Sequence, residues 1–195
     1  MTWFMGALSF LNGSKAPPAP AAPSPPKPAP AKVAVNSKFP PNIVASAQAS
    51  QRKWRVPASV SLAQWGVESA YGRAVTGKFN YGGITAKVKD AVFPFAPGTP
   101  LEPATLCWTH EHYKGEDVKC QRWFKDFPSA DAFFDAHGKL LGTAAVYAPA
   151  MAALPNVIKF INLMAPHYAT APNYAATLRS IIASNNLSQY DEVSA

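Results

Sequence analysis

The chain is poor in cysteine. Only Cys107 and Cys120 occur, with no CxxC pair and no Cys/His spacing suited to zinc, so a disulfide-dense scaffold and a zinc finger are both excluded. Long apolar runs are also missing. The best candidate, Met1–Leu11 (MTWFMGALSFL), is far short of the ~20 residues that a membrane-spanning helix needs. It has neither the basic flank nor the small-residue cleavage site of a standard signal peptide. A short anchor or docking peptide and an unstructured tail stay open for it. Dense Lys/Arg clusters are absent, although 18 basic residues against 11 acidic ones give a net charge of +7. Such a surface is drawn to polyanions. No nucleic-acid-reading motif accompanies the charge, which argues against nucleic acid and leaves anionic lipid or an acidic cell wall. No internal repeat is visible.

Proline, by contrast, is abundant, and much of it falls in one place. Ala16–Lys32 reads APPAPAAPSPPKPAPAK; proline's fixed φ and missing amide proton favour extended polyproline II there, a semi-rigid spacer. The expected organisation is a short apolar segment over 1–15, a disordered Pro/Ala-rich linker over 16–35, one folded domain over 36–188 and a tail over 189–195.

Within the domain the patterns are mainly helical. Pro40-Pro41-Asn42 opens a helix through Gln51. Pro57 suits the first turn of a second helix, with Val60, Ala63, Val67 and Ala70 as its stripe and Gly72 as its stop. Ser129, Asn156 and Asn173 are candidate N-caps of three more. These carry Phe133, Phe134, His137, Leu140 and Leu141; then Val157, Ile158, Ile161 and Met164; then Tyr174, Leu178, Ile181 and Ile182. The stretch from Ala86 is proline-broken loop until about Ala104. After it, TLCWTHEHYKGEDVKCQRWF alternates around a Lys114-Gly115 turn signal. A hairpin centred between Tyr113 and Lys114 sets Cys107 opposite Cys120, Thr109 opposite Val118 and His110 opposite Asp117. Opposed cysteines have the separation a disulfide requires, and such a bond implies an oxidising compartment; two buried thiols are the simpler alternative. Trp108 and Lys119 suit a cation–π pair. His110 and His112 share a strand face but lack the helical HExxH arrangement, so no metal is expected.

One carboxylate stands out. Glu68, in AQWGVESAYGR, lies in the last turn of its helix, where unpaired carbonyls disfavour negative charge. Trp65 and Tyr71, three residues to either side, share its face and desolvate it. A carboxylic acid kept protonated near neutrality is what protonation of a glycosidic oxygen requires. On this ground alone a solvated surface glutamate fits equally well.

The surrounding motifs decide between them. The phrase SLAQWGVESAYGRAVTGKFNYGGITA resembles the LAQ-A-x-L-E-S-G-W-G-R and N-N-x-F-G-I-K-A signature of glycoside hydrolase family 73. These are peptidoglycan N-acetylglucosaminidases of the lysozyme-like superfamily, including autolysins and flagellar rod-cap hydrolases. Thr109-His110-Glu111 resembles the family's T-x-E, Gln121–Phe127 its F-R-x-Y-x-S-F, and Tyr168–Ala175 its Y-A-T-D-P-x-Y-A. The likeness runs from about Phe39 to Asn186.

The resemblance implies an α+β, mainly α, lysozyme-like helical domain with a small β-hairpin lobe. It implies Glu68 as general acid, Glu111 as second acidic residue and Tyr174 as catalytic tyrosine, with Tyr81, Asn80, Tyr168, Tyr71 and Trp65 binding substrate. Three departures are visible: Tyr81-Gly82-Gly83 carries an extra glycine, Ala171 replaces an aspartate, and the loop Lys87–Ala104 is long and proline-rich. The implied activity is endo-β-N-acetylglucosaminidase cleavage of peptidoglycan, without cofactor. Muramidase specificity and an inactive binding or docking module are the alternatives. Peptidoglycan glycan strands are the implied partner of a monomer, with a docking partner or an immunity or inhibitor protein as further candidates. Action is expected in the periplasm or cell wall, by secretion, phage delivery or association with a virion.

Overall fold

The computed structural model describes residues 38–169 and 171–192. The expected apolar segment and the Pro/Ala-rich linker lie outside the described residues, which belong to one compact unit. The element that organises this unit is α2 (Ala58–Glu68), in which every residue from Ala58 to Gly66 is buried. A helix apolar or small on all sides belongs inside a bundle, and the others share its core. They are α1 (Pro41–Trp54), α3 (Ala130–Thr143), the single turn α4 (Ala148–Met151), α5 (Val157–Tyr168) and α6 (Tyr174–Ser184). Short 3₁₀ turns occupy Ala145–Tyr147 and Leu187–Tyr190. Leu62, Leu141, Phe134, Phe160, Met164 and Leu178 fill the core with almost no exposure.

The start of α2 is closed by distant side chains and its end by local ones. Pro57 offers no capping side chain. Instead the Ser59 amide donates to Asp191 Oδ1 and the Ser59 hydroxyl to Asp191 Oδ2, each at 2.7 Å, and the Ala58 amide donates to Gln51 Oε1 at 3.0 Å. These satisfy amides that every helix start leaves unpaired. The domain therefore runs past its expected end at 188. Tyr190 is 7% exposed, and residues 189–192, expected as tail, are packed because Asp191 caps the central helix. At the other end α2 stops at Glu68, four residues before the expected glycine. The Ser69 hydroxyl donates to the Trp65 carbonyl at 2.6 Å and accepts from the Gly72 amide at 2.8 Å, and Ala70, Tyr71 and Gly72 turn through positive φ. Glycine at 72 is favoured for a second reason, since a Cβ would press on the Trp65 ring at 3.0 Å.

The helix caps largely match expectation. Ser129 accepts from the Ala132 amide and Asn156 from the Lys159 amide, whereas Asn173 starts α6 without a side-chain bond. Leu140 and Ile158, expected on apolar stripes, are 42% and 62% exposed.

The β-lobe is a hairpin of β3 (Ala104–Tyr113) and β4 (Glu116–Lys125). A smaller pair, β1 (Val88–Lys89) and β2 (Thr99–Pro100), lies within the stretch expected as loop. The hairpin corrects the expected register. Lys114 and Gly115, with φ of 51° and 90°, are the two turn residues themselves, and Tyr113 pairs with Glu116. This is the positive-φ geometry of a two-residue hairpin turn. Moving the centre by one residue shifts every pair by two. Cys107 faces Arg122, Thr109 faces Cys120 and His110 faces Lys119. Both cysteines are free; they are diagonal neighbours on one face, beyond disulfide reach. Burial pushes the Cys120 thiol up, and Glu111 adds to it. The Trp108–Lys119 contact survives as a diagonal, with Nζ 5.2 Å from the ring centroid. The observed fold is thus the expected one: mainly helical, with a small antiparallel lobe. No helix among the described residues is long and apolar enough to cross a membrane.

His137 supplies a test of the core. It is 2% exposed, neither ring nitrogen has a hydrogen-bond partner, and burial pushes its pKa down from 6.5 to about 4. Below pH 6.5 the unfolded chain takes up a proton that the folded protein refuses until about pH 4. Stability therefore falls as pH drops through that window, by about 3 kcal/mol in total. Urea unfolding from pH 7 to pH 4 should show this loss, and His137→Leu should flatten it.

Candidate active site

Glu68 ends α2 at the molecular surface, open to solvent on a helix that is otherwise buried. Protein crowding around it raises its carboxyl above the ordinary carboxylate value, while a hydrogen bond from Tyr174 works the other way. The Tyr174 hydroxyl lies 2.7 Å from Glu68 Oε1. Tyr174 begins α6, and its ring stacks on Tyr168 at the end of α5 with centroids 5.7 Å apart and planes 10° from parallel. Burial raises the pKa of both phenols, so each stays protonated through the neutral range. The short turn between α5 and α6 thus sets two neutral tyrosines beside one carboxyl.

Behind them an aromatic series runs through the domain. Tyr168 meets His137, His137 stacks on Phe133, Phe133 meets Tyr81 at 5.3 Å, and Tyr81 meets Trp65 at 6.0 Å. Trp65 in turn meets Tyr71 and Phe39. Edge-on contacts of this kind stabilise beyond the area they bury.

This geometry corrects several expected roles. Trp65, expected against substrate, is only 3% exposed; it packs beneath Tyr71 and Tyr81, and no sugar ring can reach its face. Asn80, also expected in the cleft, is 1% exposed. Its amide donates to the Ile84 and Lys125 carbonyls and its Oδ1 accepts from the Ile84 amide, all within 2.9 Å. With those groups committed, it ties the glycine loop to β4. Tyr174 is 5% exposed, and its hydroxyl is engaged by Glu68. Tyr81, Tyr71 and Tyr168 are half-buried. Glu111 lies on β3, half-buried, paired with Arg122 at 3.3 Å across the hairpin face. Among the described residues no hydrogen bond joins it to Glu68, so Glu68 and Tyr174 come together while Glu111 stands on the other lobe.

Two contributors were not foreseen. Arg122 was legible only through the true register. Gln64, one turn before Glu68, donates its Nε2 to the Tyr174 hydroxyl at 3.2 Å. A lone carboxamide in an apolar helix, four residues before a candidate acid, was the signal for it. Among the described residues no cluster of three or more His, Cys, Asp or Glu side chains is disposed to hold a metal ion.

The glucosaminidase family model, described as mannosyl-glycoprotein endo-beta-N-acetylglucosaminidase, matches residues 44–187. The chain belongs to this family. The resemblance to glycoside hydrolase family 73 is borne out, and the protein is a glycoside hydrolase. Similar folds occur in the catalytic domain of the autolysin Auto from Listeria monocytogenes, with 22% identity, TM-score 0.63, and coverage of 83% of this chain and 92% of that one. The glycoside hydrolase domain of FlgJ from Salmonella typhimurium gives 24% identity and TM-score 0.55, covering 73% and 91%. A peptidoglycan hydrolase from Sphingomonas sp. A1 gives 20% identity and TM-score 0.55, covering 75% and 86%. No curated protein matches the chain.

Because the Tyr174 hydrogen bond lowers the pKa of Glu68, Tyr174→Phe should move that pKa further up. Carboxyl ¹³C NMR titration of the two proteins measures the shift; an unchanged Glu68 would show that the bond does not form in solution.

Proposed function

We propose that this protein hydrolyses β-1,4 glycosidic bonds in the glycan strands of peptidoglycan, as an endo-β-N-acetylglucosaminidase with Glu68 as general acid. The observation that carries this reading is the contact between Glu68 and Tyr174 at 2.7 Å. The glutamate is solvent-open, burial by the surrounding protein raises its pKa above the ordinary carboxylate value, and a neutral phenol holds its carboxyl in place. The family match supports the N-acetylglucosaminidase chemistry. Peptidoglycan as substrate is supported by the autolysin and peptidoglycan hydrolase names of its structural neighbours. A net charge of +7 suits an anionic wall.

Glu111 then completes the reaction as general base. It is the second carboxylate on the opposing lobe, half-exposed and thus open to water. A water activated from that side attacks the anomeric carbon opposite the leaving group and inverts its configuration. Tyr174, already shared between Gln64 and Glu68, is not free to polarise a substrate acetamido group, which disfavours the substrate-assisted route. In this reading residues 36–192 are the catalytic domain, 16–35 a spacer and 1–15 a docking segment, and the enzyme works in the periplasm or cell wall.

Glu68→Gln should cut turnover of purified peptidoglycan at least about a hundredfold with little change in melting temperature. Mass spectrometry of the released muropeptides identifies the bond; new reducing ends on muramic acid would mean muramidase specificity instead. Glu111→Gln should also slow turnover, and ¹H NMR of fresh product should show the inverted anomer. A retained anomer would sink the assignment of Glu111 as base.

A further inference from the structure

Gln64 is the least expected side chain in α2. It is 1% exposed in a stretch otherwise apolar or small. Its Nε2 is 3.2 Å from the Tyr174 hydroxyl and 3.9 Å from Met164 Sδ, while its Oε1 is buried with no partner. A half-satisfied buried carboxamide costs stability that a methionine or leucine of similar volume would not. Its one polar contact is with the group that touches Glu68.

A carboxamide is donor at one end and acceptor at the other. With Nε2 toward Tyr174, the phenol oxygen accepts and its own proton points to Glu68, which suits an ionised Glu68. Rotated half a turn about its last bond, Gln64 presents Oε1, accepts a hydrogen bond from the phenol O–H, and frees the phenol oxygen to accept from a protonated Glu68. A general acid passes through both states in each cycle. We propose that Gln64 is a positioning residue that sets the direction of the Tyr174 hydroxyl, so that Glu68 has a matched partner both before and after it gives up its proton. This rests on Glu68 being the acid. The other titratable groups around the pair are Tyr168 from α5, Tyr147 beyond it, and His137 from α3. The raised phenols and a histidine at about 4 carry no charge near neutrality, so they add no limb of their own to a rate profile there.

The test uses the full chain acting on purified peptidoglycan. Gln64→Met should lower kcat about tenfold, the effect of one lost hydrogen bond, with KM nearly constant. Without the amide's donation the phenol is a weaker donor to Glu68, so the alkaline limb of the rate profile should move to higher pH, in the same direction as for Tyr174→Phe. In a Tyr174→Phe background Gln64→Met should change nothing more. Independent, multiplying losses, or an unshifted limb, would overturn the proposal. A second measurement needs no substitution: the Gln64 side-chain amide signals of the native protein should titrate with the midpoint of the alkaline limb, and flat signals would overturn it too. An inactive Glu68→Gln with a silent Gln64→Met removes only this inference, whereas an active Glu68→Gln removes the acid assignment and this inference together.

Discussion

The burial of α2 on every side is the constraint from which the site follows. A helix enclosed from Ala58 to Gly66 has no freedom to slide or rotate, because each small residue along it is matched to a neighbour in a close-packed interior. Its first amides are held by Gln51 and by Asp191, 132 residues away in sequence. Its last residue is Glu68. A carboxyl placed at the end of such an axle inherits the rigidity of the core while facing water, a combination that a loop residue could not have.

Electrostatics then follow from position. The carboxyl is disfavoured as an anion by the protein around it and favoured by a single phenol. These opposing effects leave its pKa raised without making it inert. The tyrosine is in turn backed by a parallel ring from α5 and by the carboxamide of Gln64. Two helices thus meet at one phenol oxygen, with a third supporting its ring, while the β-lobe presents a second carboxylate tied to Arg122.

What could be read from the residues depended on the range of the physics involved. Ser129 and Asn156 were legible as caps because a cap is a contact three residues long. The mainly helical fold was legible because apolar spacing repeats over whole elements. The hairpin was legible as a hairpin, yet a one-residue error in its turn centre changed every facing pair, since Lys114 has no marked preference for the positive φ it adopts. Trp65 and Asn80 failed for a different reason. An aromatic ring or an amide reads the same whether it meets a sugar or the interior, and only three-dimensional packing tells which. Asp191 lay beyond any local pattern, because its partner is at the far end of the domain. Glu68 was ambiguous by local argument and became specific only with the ordered motifs around it.

The unbridged cysteines bear on how the β-lobe is closed. A β-lobe closed by a covalent bond would acquire its final form only after export to an oxidising space. Here a two-residue turn and ten paired positions close the lobe, and the two thiols sit diagonally with no bond between them. Backbone pairing and a turn of two positive-φ residues thus fix the register of the lobe, with no covalent cross-link between its strands.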